Sequence, residues 1–231
     1  MLKLLVTLAK ITNRQALRYP LEALVRVLGA LAFFVALAFA VQKTTKAELA
    51  GALLGSMIAM LALVAITRTA NFGEEESREE AFLYPYPVWS FQLARAFAVS
   101  ALVNLALVTL YGFLAGSLEQ AAHGLTLILI AYLGATGIGL LLLALNLLFV
   151  KTEFVTNLAA LGMLTLAFMP LDQAPGWIAW VPVANAVHLA QGEGAMTLGL
   201  VLSNLAALLV GVLFVRRAER VVIERGIAGL A

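Results

Sequence analysis

Apolar residues run through this chain in long blocks, broken by short polar or proline-rich stretches. A helix rises about 1.5 Å per residue and a bilayer core is about 30 Å thick, so a span needs roughly 20 apolar residues. Measured that way, the pattern predicts six spans, at about 21–41, 49–66, 93–115, 125–150, 154–169 and 197–215. The fifth is short. None of the six shows the period-two alternation of a membrane β-strand. Helices are the remaining way to satisfy backbone polar groups in lipid, so the expected fold class is all-α, a polytopic membrane protein with six transmembrane helices in a single domain over 1–231. The first block begins after 20 residues, carries Arg26 and has no small-residue cleavage site after a short apolar run, so it is expected to be a span and not a signal peptide.

Composition agrees. The 231 residues are 63% hydrophobic and only 12% charged, against roughly 45–50% and about 25% in a soluble domain. A chain of this size cannot hide that much apolar surface in one aqueous core. Disorder and a disulfide scaffold are excluded by the same numbers and by the absence of cysteine.

Charge sets the expected orientation. An even number of spans puts both ends of the chain on one side. That side would hold Lys3, Lys10, Arg14, Arg18, Arg26, Arg68, Arg78, Arg95, Lys151, Arg216, Arg217, Arg220 and Arg225, leaving only Lys43 and Lys46 opposite. Basic residues favour the cytoplasmic face, so both termini are expected in the cytoplasm. The basic balance is thereby used up beside the membrane, and nucleic acid is not an expected partner.

Three stretches outside the spans stand out. Residues 1–20 read as an interfacial helix, with Leu4, Leu5, Leu8, Ile11 and Leu17 interleaved with Lys3, Lys10, Arg14 and Arg18 before Pro20. It would lie among anionic lipid headgroups, or simply help to orient the first span. Residues 71–91 follow the second span and carry Glu74, Glu75, Glu76, Glu79 and Glu80, then Phe82, Tyr84, Pro85, Tyr86, Pro87 and Trp89. Ser77 and Glu80 have capping-box spacing, glutamates suit a first helical turn, and the prolines end the helix. Either a docking helix or an exposed acidic loop with an aromatic anchor fits. Residues 170–195 hold Pro170, Pro175, Gly176, Trp177, Trp180 and Pro182. They are too broken for a span and too apolar for a free loop, which leaves a re-entrant hairpin, short interfacial helices or an amphipathic outer loop.

This layout resembles the transmembrane subunit (permease) of type-2 ABC exporters, along nearly the whole chain. In that family the second span is followed by acidic residues, Gly-Thr, Leu-Glu and a leucine pair, then a proline and a basic residue. Here the stretch reads GEEESREEAFLYPYPVWSFQLAR. Glu74 and Glu75 match the leading acids, Ser77 the threonine, Glu79 the later glutamate, Pro85 the proline and Arg95 the basic residue. Glu76 replaces a glycine, and Ala81 and Phe82 replace leucines. The stretch MPLDQAPGWIAWVPVANAVHL is similar to the family's outer Pro-Leu, Pro-Gly-Trp and proline pattern.

The resemblance implies a multi-pass protein of the cell (inner, cytoplasmic) membrane that pairs with a second permease copy, identical or not, to form an export path. A separate ABC ATPase subunit would bind ATP and Mg and act through a coupling helix. Glu74, Glu75, Ser77, Glu79, Glu80, Pro85, Tyr86 and Trp89 would meet that ATPase, and Pro170, Pro175, Trp177, Trp180 and Pro182 would form an extracellular gate. The haem-export or cytochrome-maturation permease type shares the six spans and the acidic loop; its outer segment is shorter. A membrane scaffold that binds a cytoplasmic protein through 71–91 is the remaining alternative.

The residues themselves bear on this in four ways. No GxxxxGK[ST] phosphate loop is present, and no Gly-Lys pair occurs, so nucleotide hydrolysis would need another chain. Asn104, Asn146, Asn157 and Asn204 lie in or near spans, either along a substrate path or in interhelical hydrogen bonds. Ionisable groups inside the spans are nearly absent, which argues against an ion-coupled carrier and favours a lipid-like or amphipathic cargo. His123 and His188 read as polar residues near the outer face, without metal-site spacing, and Ser117 and Ser203 lack the nucleophile-elbow pattern. The chain is therefore not expected to be an enzyme.

Overall fold

The computed structural model describes residues 46–70, 118–149, 153–169, 176–192 and 198–224. Within them every element is helical and none is a strand: α1 is Lys46–Ala70, α2 Leu118–Leu148, α3 Glu153–Ala167, a 3-10 turn spans Gly176–Trp180, α4 is Ala184–Ala190 and α5 Leu198–Glu224. Helices α1, α2 and α5 contain apolar stretches of 18, 30 and 27 residues, long enough to cross a bilayer. At 15 residues α3 rises about 22 Å and falls short of the core thickness. The predicted interfacial helix 1–20, the spans 21–41 and 93–115, and the acidic segment 71–91 lie outside the described residues.

Each long helix overruns its predicted span. The apolar ruler sees only the lipid-crossing part, whereas a helix continues until something breaks it. Helix α2 begins at Leu118 and not near Leu125, because Glu119, Gln120, Ala121 and Ala122 are good helix formers and Glu119 sits at the positive end of the dipole. Helix α5 runs on past Val215 through Arg216, Arg217, Ala218 and Arg220 for the same propensity reason.

The three long helices run parallel. On one side of α2, Gly139 faces Ala65, Ile66 and Thr69 of α1, and further along Asn146 reaches Ala70. On its other side Gly134 faces Asn204, Gly137 faces Ala207 and Leu208, and Leu140 lies against Gly211 of α5. Leu140, Leu143 and Ala144 then cluster with Val215 and Ala218. Lipid offers no hydrophobic force between helices, so association depends on close contact, and small residues permit it. Backbones approach closely at Gly137 and Gly211: a Cβ on Gly137 would collide with backbone atoms of Ala207 and Leu208, and one on Gly211 with the Gly137 carbonyl.

Burial divides the helices into centre and rim. The apolar windows of α1 and α2 are each 72% buried, that of α5 only 22%. Helix α5 buries a single stripe of Leu200, Asn204, Gly211, Val215 and Ala218 and exposes Leu202, Leu209, Leu213 and Phe214. Helix α3 likewise turns Ala160, Met163, Leu164 and Ala167 toward Ala59, Ala62, Leu63 and Ile66 of α1, with Phe154, Leu158 and Leu161 on its exposed face.

The described part of the segment 170–195 takes a definite form. Helix α4 lies antiparallel to the N-terminal half of α1: Ala190 and Gln191 are beside Gly51, Val187 and Gln191 beside Gly55, and Val183 beside Ala59 and Ala62. The Gly51-x-x-x-Gly55 pair thus serves an approach inside this chain. Because Ala184, Ala186 and Ala190 are small, α4 sinks into the helix packing. His188 goes with it and is only 3% exposed. His123, by contrast, is exposed. In the 3-10 turn Ile178 is buried while Trp177 and Trp180 are exposed.

Candidate functional site

Two polar junctions interrupt this apolar packing. The first is the C-terminal end of α1. The last four carbonyls of a helix have no intrahelical donor. The Asn146 side-chain amide supplies one, donating from Nδ2 to the Ala70 carbonyl at 2.6 Å. Thr69 is buried beside Gly139 in the same place. The end of α1 is therefore fixed to α2 at the residue before the acidic stretch begins. Replacing Asn146 with Leu leaves the Ala70 carbonyl without that donor. Interhelical hydrogen bonds in membranes are worth about 0.6–2 kcal/mol, so Asn146→Leu is expected to lower the unfolding free energy by about 1 kcal/mol, measured by denaturant titration in mixed micelles.

The second junction is the turn that starts α4. Val183 has φ 71° and ψ −54°, a left-handed conformation that a β-branched residue rarely adopts. Ala184 N–H donates to the Pro182 carbonyl at 2.9 Å, closing a γ-turn centred on Val183. Conformations of this kind cost of order 1–3 kcal/mol and persist only where the surroundings hold them. The Val183 N–H donates to Asn204 Oδ1 of α5 at 3.3 Å, while Asn204 Nδ2 donates to the Leu200 carbonyl at 2.8 Å. Asn204 is fully buried, and it fits because α2 has glycine at 134: a Cβ there would stand 1.9 Å from Oδ1. Three elements thus converge on one side-chain amide.

The three described asparagines of the candidate path stand at separate places. Asn146 and Gly134 are 12 residues apart on α2, about 18 Å along the axis. Asn157 is on the exposed face of α3 beside Leu158. Asn104 is outside the described residues, as are Glu74, Glu75, Ser77, Glu79, Glu80, Pro85, Tyr86, Trp89, Pro170 and Pro175. Of the remaining outer residues, Trp177 and Trp180 are exposed and Pro182 is half-buried at the start of the γ-turn.

Sequence reasoning did not single out Val183, and a Pro-Val-Ala run carries no glycine signal for a left-handed residue. It also passed over Gly134, Gly137 and Gly139, whose close spacing in GATGIG was the available clue to a helix packed on two sides.

Charge is asymmetric along the bundle. The C-terminal end of α5 exposes Arg216, Arg217 and Arg220, at the same end as the Ala70–Asn146 junction. The opposite end of α2 exposes Glu119 and His123. Among the described residues no three His, Asp or Glu side chains are grouped to hold a metal. No family model matches the chain, and no curated protein or solved structure is similar to it beyond chance. The fold and its apolar helices thus define a helical protein embedded in a membrane.

Proposed function

We propose that this chain is the transmembrane subunit of an ATP-driven type-2 ABC exporter, working in pairs and powered by a separate cytoplasmic ATPase that binds ATP and Mg. The observation that carries the reading is the placement of the glutamate-rich stretch Glu74–Glu80 a few residues beyond Ala70, where α1 is fastened to α2 through Asn146. A displacement of that stretch would be delivered to two packed helices together.

Several features support the wider scheme. Parallel α1, α2 and α5 require a return path for the chain in 71–117 and again in 149–197, and the sequence has apolar blocks at 93–115 and 154–169. The exposed arginines of α5 support a cytoplasmic side for the C-terminal ends of the three helices. The buried polar side chains among the described residues are Ser56, Thr69, Thr136, Thr156, Asn185, His188 and Asn204, with no carboxylate, lysine or arginine. Ion-coupled carriers need such groups at membrane depth. An apolar interior suits a lipid-like or amphipathic cargo, and α4 with its γ-turn then forms a re-entrant element on the extracellular side.

The test is affinity purification of the chain from its native membrane in mild detergent. The expected companion is a chain carrying GxxxxGK[ST] in roughly equal amount. A companion without nucleotide-binding motifs would instead make the protein a scaffold.

A further inference from the structure

We infer that the exposed face of α5 seats one anionic phospholipid, with its acyl chains along Leu202, Leu209 and Leu213 and its phosphate between Arg217 and Arg220. The inference does not depend on the ATPase reading, only on the chain lying in a membrane.

The face runs without a break from apolar to basic. Leu202, Leu209, Leu213, Arg217 and Arg220 follow one another at intervals of seven, four, four and three residues, the spacing that keeps side chains on one side of a helix. All five are exposed. Leu202 to Leu213 covers about 16 Å of helix, close to half the thickness of a bilayer core. The apolar block ends at Val215. Arg217 lies about 3 Å beyond it and Arg220 about 7.5 Å, while the headgroup layer is roughly 5–8 Å deep on each side. Both arginines therefore stand at the depth of lipid phosphates.

Within α5, neither the helix dipole nor an acidic side chain at the same depth accounts for them. The dipole acts over the last turn of a helix, and the last turn of α5, ending at Glu224, contains no basic residue. Glu219 is half-buried and turned about 120° from Leu213. Glu224 shares the face of Arg220 but lies about 13 Å beyond Val215, past the headgroup layer. Arg216 already has an interaction of its own, and the seat does not need it.

Charge and depth decide the occupant. Guanidinium and phosphate pair through parallel, charge-assisted hydrogen bonds, and basic side chains beside a span attract anionic lipid. A choline headgroup brings its own cation to the arginines, so a lipid of net negative charge, such as phosphatidylglycerol, is preferred. A second copy of this chain is disfavoured on this face. Copies lying the same way up in one membrane would set Arg217 and Arg220 against the same residues at the same depth, and like charges face to face cost affinity.

Because the chain has no cysteine, Leu213→Cys carries a single fluorophore where the apolar and basic parts of the face meet. Bromine quenches at short range. Comparing acyl-brominated phosphatidylglycerol with acyl-brominated phosphatidylcholine, in vesicles that contain both lipids, therefore gives the relative occupancy of the face by each. The expected preference for phosphatidylglycerol is at least about threefold, and Arg217→Gln with Arg220→Gln is expected to remove more than half of it. A smaller preference, or a double variant that keeps more than half, would overturn the inference and leave the arginines a role in topology alone. No quenching by either lipid would overturn it too, since protein would then cover the face. Should the double variant fail to insert, salt decides. Raising ionic strength from about 0.1 M to about 1 M shortens the Debye length from about 10 Å to about 3 Å, and the preference is expected to fall by at least half. A preference that holds above half would overturn the inference.

Discussion

Leucine at position 137 is expected to prise α5 away from α2 and lower the unfolding free energy by about 3 kcal/mol or more. Overpacking a core usually costs about 1–3 kcal/mol, because neighbouring side chains shift to make room. At Gly137 the neighbours are backbone atoms, with Ala207 C and Leu208 N 2.4 Å and Ala207 O 2.5 Å from the position of a Cβ. Backbone cannot rotate out of the way as a side chain does, so the helices must separate. Separation would undo the contacts of Gly134 with Asn204 and of Gly211 with Gly137 and Leu140. Among the described residues α5 is held mainly by α2, along the one stripe that it buries. The control is the same substitution at Gly162, on the exposed face of α3, where a Cβ would meet nothing within 4 Å. Surface substitutions of that kind change stability by about 0.5 kcal/mol or less. Helix propensity favours leucine over glycine at both sites. Opposite outcomes would therefore isolate the packing effect, and SDS titration of the folded protein in micelles measures both.

How much of this was legible in the sequence depended on which interaction decided each feature. Apolar block length is a property of consecutive residues, so the blocks at 49–66, 125–150, 154–169 and 197–215 were found, and each is a helix in the structure, the fifth block as short as expected. Their ends were misplaced because lipid thickness, and not helix propensity, was the ruler: Arg216 and Arg217 end the apolar block without ending the helix. Helix direction and pairing depend on residues far apart in the chain. Gly137 and Leu208 carry no mark of each other. The outer segment was recognised as neither span nor loop from its prolines and tryptophans, but its seat on Gly51 and Gly55 needed the structure, and so did the burial of His188. Asn146 and Asn204 were noticed because asparagine is costly in lipid. The left-handed Val183 is imposed by its surroundings, so no local reading of Pro-Val-Ala reaches it.

The largest functional effect is expected from reversing charge in the acidic segment. Complementary charge sets the register of a protein interface, and like charges brought face to face cost several kcal/mol. Each 1.4 kcal/mol is about tenfold in affinity. Glu75→Lys with Glu79→Lys together are therefore expected to weaken binding of the partner ATPase at least about a hundredfold, measured by titrating the purified ATPase onto the chain in nanodiscs.

The measurement that bears most directly on the central claim follows one side chain proposed to face the far side of the membrane while nucleotide is supplied on the near side. Trp177 is 54% exposed, and the chain has no native cysteine, so Trp177→Cys gives a unique label site for an impermeant thiol reagent added outside sealed vesicles that hold the chain with its ATPase. The account predicts labelling from outside only, at a rate that changes at least about threefold when ATP and Mg are supplied on the cytoplasmic side, with the change abolished by Glu75→Lys and Glu79→Lys. Labelling at the same rate with and without nucleotide, or a nucleotide effect that survives the charge reversal, would contradict it.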